Sequence, residues 1–202
     1  DGGWHGTAMA SIMCGRSDFV RGAAPGAVLS NYAVTGPDGA GHCFALASAI
    51  VAAVDGGNSI ICVQPACAEN AEVLALAAAY AAERGSLIVA PAGESGVVLN
   101  PAALDEVLGV GAVDASGRTL GLTAKGADIF APGMGIPVAA PGGEEAVVDG
   151  SGSAASFVAA ALAGIVYEEP GLGVFAARDL LLAYAAKTGL AGSREVGRLD
   201  VG

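Results

Sequence analysis

The chain has 202 residues, 53% of them hydrophobic and 14% charged, with 32 glycines. That is enough for one sizeable core, and a single domain over 1–202 is expected. Its 20 acidic against 9 basic residues leave a net charge of −11, so no basic stripe exists to meet phosphates and nucleic acid is disfavoured as a partner. No uninterrupted apolar run is long enough to cross a bilayer, because Gly, Pro or charge intervenes each time, so no membrane partner is expected. The first residue is Asp1 instead of Met. The sequence therefore reads as a fragment or processed chain and carries no targeting information. Cys14, Cys43, Cys62 and Cys67 show neither C-x-x-C nor zinc-like spacing and read as free thiols.

In chain order, a Gly-rich turn leads into a short helix, about Ala8–Cys14, with Gly15 as its stop. A Gly/Pro turn at 22–26 precedes an expected strand, Ala27–Val34. Cys43–Val54 has helical spacing, with Phe44, Leu46, Ala47, Ile50, Val51 and Val54 on one face. Ser59–Val63 reads as a fully apolar strand. Asn70 is expected to cap an Ala/Leu helix to about Arg84, and Leu87–Ala90 is the next strand. Buried strands alternating with helices predict a three-layer α/β fold: a mostly parallel central sheet with helices on both faces. Val107–Val113, Asp128–Ala131 and Val138–Ala140 are short strand candidates. A last amphipathic helix covers about Phe175–Lys187.

The stretch Val147–Val166 organises the rest. A short strand runs into Gly150-Ser151-Gly152-Ser153, and the helix that follows has no polar face, so it lies inside the protein. Ser153 falls in the first turn, where backbone N–H groups lack partners and the helix dipole is positive. That suits a nucleophile whose intermediate carries an oxyanion; it equally suits an ordinary N-cap at Ser153 or Ser151.

His5-Gly6-Thr7-Ala8-Met9-Ala10 resembles the His-Gly-Thr-x-x-Ala motif of subtilisin-like serine proteases. Gly22-Ala23-Ala24-Pro25, Ala90–Gly96, Pro101-Ala102, Val110–Asp114 and Ala131-Pro132-Gly133 resemble further blocks of that family, in the family's order. Gly150–Ala161 sits where its Gly-Thr-Ser-x-Ala-Ser/Thr-Pro motif belongs. Ala10-Ser11-Ile12 and Gly197-Arg198-Leu199 resemble the cyanobactin-maturation type. The resemblance implies a peptide or protein substrate; no cofactor is expected and no metal ligands are assigned. It makes His5 the general base and Ser153 the nucleophile of an acyl-enzyme mechanism. A serine hydroxyl attacks only when an imidazole accepts its proton and an acid holds that imidazole's tautomer.

Four departures from the pattern matter. The family's Asp lies well upstream of its histidine, so the domain reads as N-terminally truncated, lacking its first strand. Another segment or chain would then supply the Asp; losing it costs ~10⁴ in kcat. Glu94 stands where the family has an oxyanion-binding Asn, whose loss costs about 10²–10³. A carboxylate could donate there only when protonated, so an active enzyme would work best in acid. Gly152 replaces Thr and Phe157 replaces Pro, leaving Ser151 and Ser156 as alternative nucleophiles. The substrate-pairing edge reads Val63-Gln64-Pro65-Ala66 instead of Ser-x-Gly or Ser-Gly-Gly, and proline removes a ladder donor.

Two other patterns are weak. Gly150-x-Gly152-x-x-Ala155 fits a dinucleotide fingerprint but lacks the second parallel strand that a nucleotide fold needs. His5, Cys14, His42 and Cys43 have no metal-site spacing. Two readings remain: a serine endopeptidase, degenerate or a fragment, and a catalytically inactive pseudoprotease that binds peptides or partners.

Overall fold

A computed structural model describes residues 4–36, 41–67, 71–120, 126–187 and the backbone of 197–198. Its strands are β1 (Ile60–Cys62), β2 (Leu87–Pro91), β3 (Val107–Val113), β4 (Ile129–Pro132), β5 (Ile136–Ala140), β6 (Glu144–Val148) and β7 (Gly197–Arg198). Its helices are α1 (His5–Cys14), α2 (Cys43–Asp55), α3 (Ala71–Glu83), α4 (Ser151–Glu168) and α5 (Val174–Ala186). Five strands form one parallel sheet in the order β1-β2-β3-β4-β7. The register pairs Ile60 with Leu87, Ile88 with Val107 and Val110 with Ile129.

Helices cover both faces of the sheet. On one, Leu46, Ile50 and Val54 of α2 and Leu74, Ala78 and Ala81 of α3 pack on Ile61 and Ile88. On the other, Ala155, Val158 and Leu162 of α4 and Ala177 and Leu181 of α5 pack on Val89, Val110 and Ile129. Each buried branched side chain contributes roughly 1.5–3 kcal/mol. This is the three-layer α/β arrangement that the alternation of apolar runs predicts. Inside β3, Gly111 leaves room for the Phe130 ring, which a Cβ there would meet at 2.3 Å.

Several expectations change. Residues 27–34 are not a strand: Val28 is 94% exposed, and the Tyr32 hydroxyl donates to the Ala52 carbonyl at 3.4 Å. A strand needs a neighbouring backbone, and among the described residues no strand pairs with this segment. Val138–Ala140 belongs to β5, which pairs antiparallel with β6 in a separate hairpin, Ile136 opposite Val148. β7 extends the sheet where none was expected. Helix α4 is long and apolar enough, by length and composition, to span a bilayer. Small residues rather than long apolar ones hide that property in the sequence, and half of this helix is buried within the fold. Asn70, the expected cap of α3, lies outside the described residues.

All four cysteines are free thiols. Burial and the neighbouring Cys43 push the Cys67 thiol up to about 12.

Candidate functional site

Helix α1 begins at His5. Behind it, Ala8, Met9 and Ile12 are buried against Ile136 and Val138 of β5, with Phe157 of α4 packed on the same cluster. The Ser11 hydroxyl donates to the Ala8 carbonyl at 2.7 Å and accepts from the Ala139 N–H at 3.0 Å. These contacts fix α1 across the hairpin and the start of α4, leaving the His5 ring exposed at the helix tip.

The start of α4 is set by Gly150, whose φ of 127° only glycine adopts freely. Its N–H donates to the Gly133 carbonyl at 2.7 Å. The Gly135 N–H is held by the Asp149 carboxylate at 2.6 Å. Ser151 is tied to the loop after β2: its hydroxyl accepts from the Gly93 N–H at 3.1 Å, and its own N–H donates to the Glu94 carboxylate. A negative charge at a helix N-terminus gains about 0.3–1 kcal/mol. Glu94 thus caps α4 at the position where the sequence suggested an oxyanion donor.

The next two residues decide the chemistry. A Cβ on Gly152 would lie 3.7 Å from His5 Cε1, 3.7 Å from Met9 Sδ and 2.7 Å from Gln64 Oε1. Position 152 therefore faces the imidazole. One residue further along an α-helix turns the side chain by about 100°. Ser153 is 2% exposed, and its hydroxyl has no hydrogen-bond partner. The hydrogen bond to His5 expected of Ser153 is not formed. Ser151 and Ser156, the alternative assignments, are engaged elsewhere: Ser156 donates to the Gly152 carbonyl at 3.0 Å.

Gln64 fills the space in front of the imidazole. Its Oε1 lies 3.4 Å from His5 Nε2. Its amide N–H groups reach the Gly152 carbonyl at 3.4 Å, the Ser156 hydroxyl at 3.3 Å and the Cys62 sulfur at 3.2 Å. Of the other residues of the expected substrate edge, Val63 is buried and donates to the Val89 carbonyl at 2.9 Å, while Pro65 has no N–H to offer. Cys62 is no substitute nucleophile, because burial pushes its thiol up to about 11. Among the described residues no three His, Cys, Asp or Glu side chains converge as a metal site would require.

A family model described as the subtilase family matches residues 1–198. The chain belongs to the subtilase family. Subtilisin BL of Lederbergia lenta is 31% identical over 176 residues, 84% of this chain and 65% of that protein. The chain thus spans less than two thirds of that relative's length. A serine-to-alanine mutant of the protease domain of PatA superposes with a TM-score of 0.81 at 28% identity, covering 98% of this chain and 77% of that one. The prenylagaramide maturation protease PagA gives 0.78 at 28% identity, over 90% and 72%. These neighbours support the resemblance to cyanobactin-maturation proteases read in Ala10-Ser11-Ile12 and Gly197-Arg198-Leu199.

Within the subtilase motif, the fold offers a register one residue earlier than the sequence suggested. Counted from Gly150, the motif's glycine falls on the residue with positive φ, Ser151 takes the threonine place and Ala154 the alanine place. On that count residue 152, which faces His5, would take the serine's place. Sequence reasoning placed Gln64 on the substrate edge and missed its contacts with His5, Gly152 and Ser156. Its signal was a long polar side chain where the family places Ser-x-Gly, together with a glycine inside the nucleophile motif.

Proposed function

We propose that this chain is a subtilase-family pseudoprotease, a domain that keeps the protease cleft for engaging a peptide or protein partner without cleaving it. One observation carries the reading: the imidazole of His5 faces Gly152, which has no side chain. A serine protease needs a hydroxyl within hydrogen-bond reach of its base. The Glu94 carboxylate on the N-terminus of α4 adds a second obstacle. Two like charges about 4 Å apart repel by ~4 kcal/mol at an effective dielectric near 20, about three orders of magnitude in rate. Pro65 removes a donor from extended pairing with a substrate. An Asp supplied by another segment or chain would complete the support of His5 but would not replace the hydroxyl.

The second reading, a serine endopeptidase with His5 as base and Ser153 as nucleophile, is favoured by the buried, unpartnered Ser153 hydroxyl. It requires the first turn of α4 to rotate by about 100°. A proteolysis assay separates the two. Casein and a mixed peptide library are incubated from acidic to alkaline pH with the parent, His5→Ala and Ser153→Ala proteins. The pseudoprotease reading expects the same baseline from all three. Turnover in the parent that both substitutions abolish overturns it in favour of the endopeptidase.

A further inference from the structure

We infer that Gln64 is a positioning residue that has taken the place of the nucleophile's hydroxyl and holds His5 as a hydrogen-bond donor. The inference deepens the pseudoprotease reading and rests on it in one respect, that position 152 carries no hydroxyl.

The orientation of the Gln64 amide follows from its partners. The Gly152 carbonyl only accepts, so the amide edge facing it carries N–H. The Ser156 hydroxyl has acceptors for its proton in that same carbonyl at 3.0 Å and the Met9 sulfur at 3.5 Å, so its oxygen accepts from Gln64 as well. A flipped amide would set Oε1 against the Gly152 carbonyl, oxygen to oxygen. Oε1 must therefore point at His5 Nε2, and an amide oxygen accepts only. The proton of that contact belongs to Nε2.

This is the reverse of what general-base chemistry needs. A base facing a serine keeps its proton on Nδ1 and offers the Nε2 lone pair to the hydroxyl. With Oε1 at 2.7 Å from the place of a Cβ on residue 152, the amide also occupies the volume a serine side chain would use. Gln64 thus both excludes a nucleophile and fixes the imidazole in the form that cannot activate one. Its anchors to Cys62, Gly152 and Ser156 span β1 and α4, so the fold itself places the amide.

Ring nitrogen-15 NMR of the full 202-residue chain tests this, at a mildly alkaline pH where imidazoles are neutral, with His42→Gln used to assign the two histidines. His5 is expected to carry its proton wholly on Nε2 in the parent. Gln64→Met, similar in length but without an acceptor, shifts the nitrogens toward the mixed tautomers of a solvated histidine. Gln64→Glu, which retains an acceptor, keeps the parent pattern. A proton on Nδ1 in the parent, or identical spectra for parent and Gln64→Met, overturns the inference. The volume claim has its own readout. Gly152→Ala should be less favourable to Tm in the parent than after Gln64→Ser makes room, because only in the parent must the amide move aside; an equal effect in both backgrounds contradicts it. Proteolysis with the proton on Nε2 would sink only the pseudoprotease reading, and an Nδ1 proton without proteolysis only the role of Gln64.

Discussion

Gly152→Ser combined with Gln64→Ser is expected to give a protein that a fluorophosphonate labels covalently at residue 152, whereas Gly152→Ser alone stays unlabelled. In the single variant the new Cβ would lie 2.7 Å from Gln64 Oε1, so the serine hydroxyl competes with the amide for the same space. Shortening Gln64 empties that space and frees His5 Nε2 to accept a proton. Among the described residues no carboxylate is bonded to the His5 ring, and a serine–histidine pair lacking that support loses ~10⁴ in kcat. Labelling is therefore expected over hours and read by intact mass. Adding Glu94→Asn supplies a neutral donor in place of a carboxylate and should accelerate it by about 10²–10³. Equal labelling of the single and double variants would show that Gln64 does not guard the position.

Leu162→Ala should be the costliest truncation in α4. The side chain is fully buried in the cluster formed by α4, α5 and the sheet. Emptying such a site costs about 2–5 kcal/mol, through lost transfer free energy and the remaining cavity. At roughly 2–4 °C per kcal/mol for a chain of this size, Tm falls by about 4–20 °C. Leu76 of α3 is 73% exposed, and Leu76→Ala should stay within about 0.5 kcal/mol of the parent. Similar losses for both would mean that α4 does not pack against the sheet as described.

What the sequence disclosed follows from which interactions are local. Continuous apolar runs such as Ile60–Cys62 and Leu87–Ala90 are legible as strands buried on both faces, and Leu46, Ile50 and Val54 mark the inner face of α2. The segment 27–34 has strand composition, but a strand exists only beside a partner, and partners are set by the whole chain. The β5–β6 hairpin pairs residues through a turn at Pro141–Gly143, which its uneven burial conceals.

The site shows the same division. Motif and position single out His5 and Glu94 in the sequence, and both side chains lie at the start of α4. Which residue of 150–153 meets the imidazole is harder to read, because two glycines and two serines alternate there. A slip of one residue leaves the local pattern plausible while turning the side chain by about 100°. Only the positive φ of Gly150 and the packing of α1 against α4 fix which residue meets the imidazole. The contacts of Gln64 are hidden for a related reason: its partners His5, Gly152 and Ser156 lie 59, 88 and 92 residues away.

The most direct test of the account is exposure of the unmodified protein to a fluorophosphonate from acidic to alkaline pH, read by intact mass and peptide mapping. An imidazole opposite a glycine leaves no activated hydroxyl, so no adduct is expected at any pH. An adduct on Ser153 that disappears in both Ser153→Ala and His5→Ala would contradict this, placing the hydroxyl and the imidazole in one working pair.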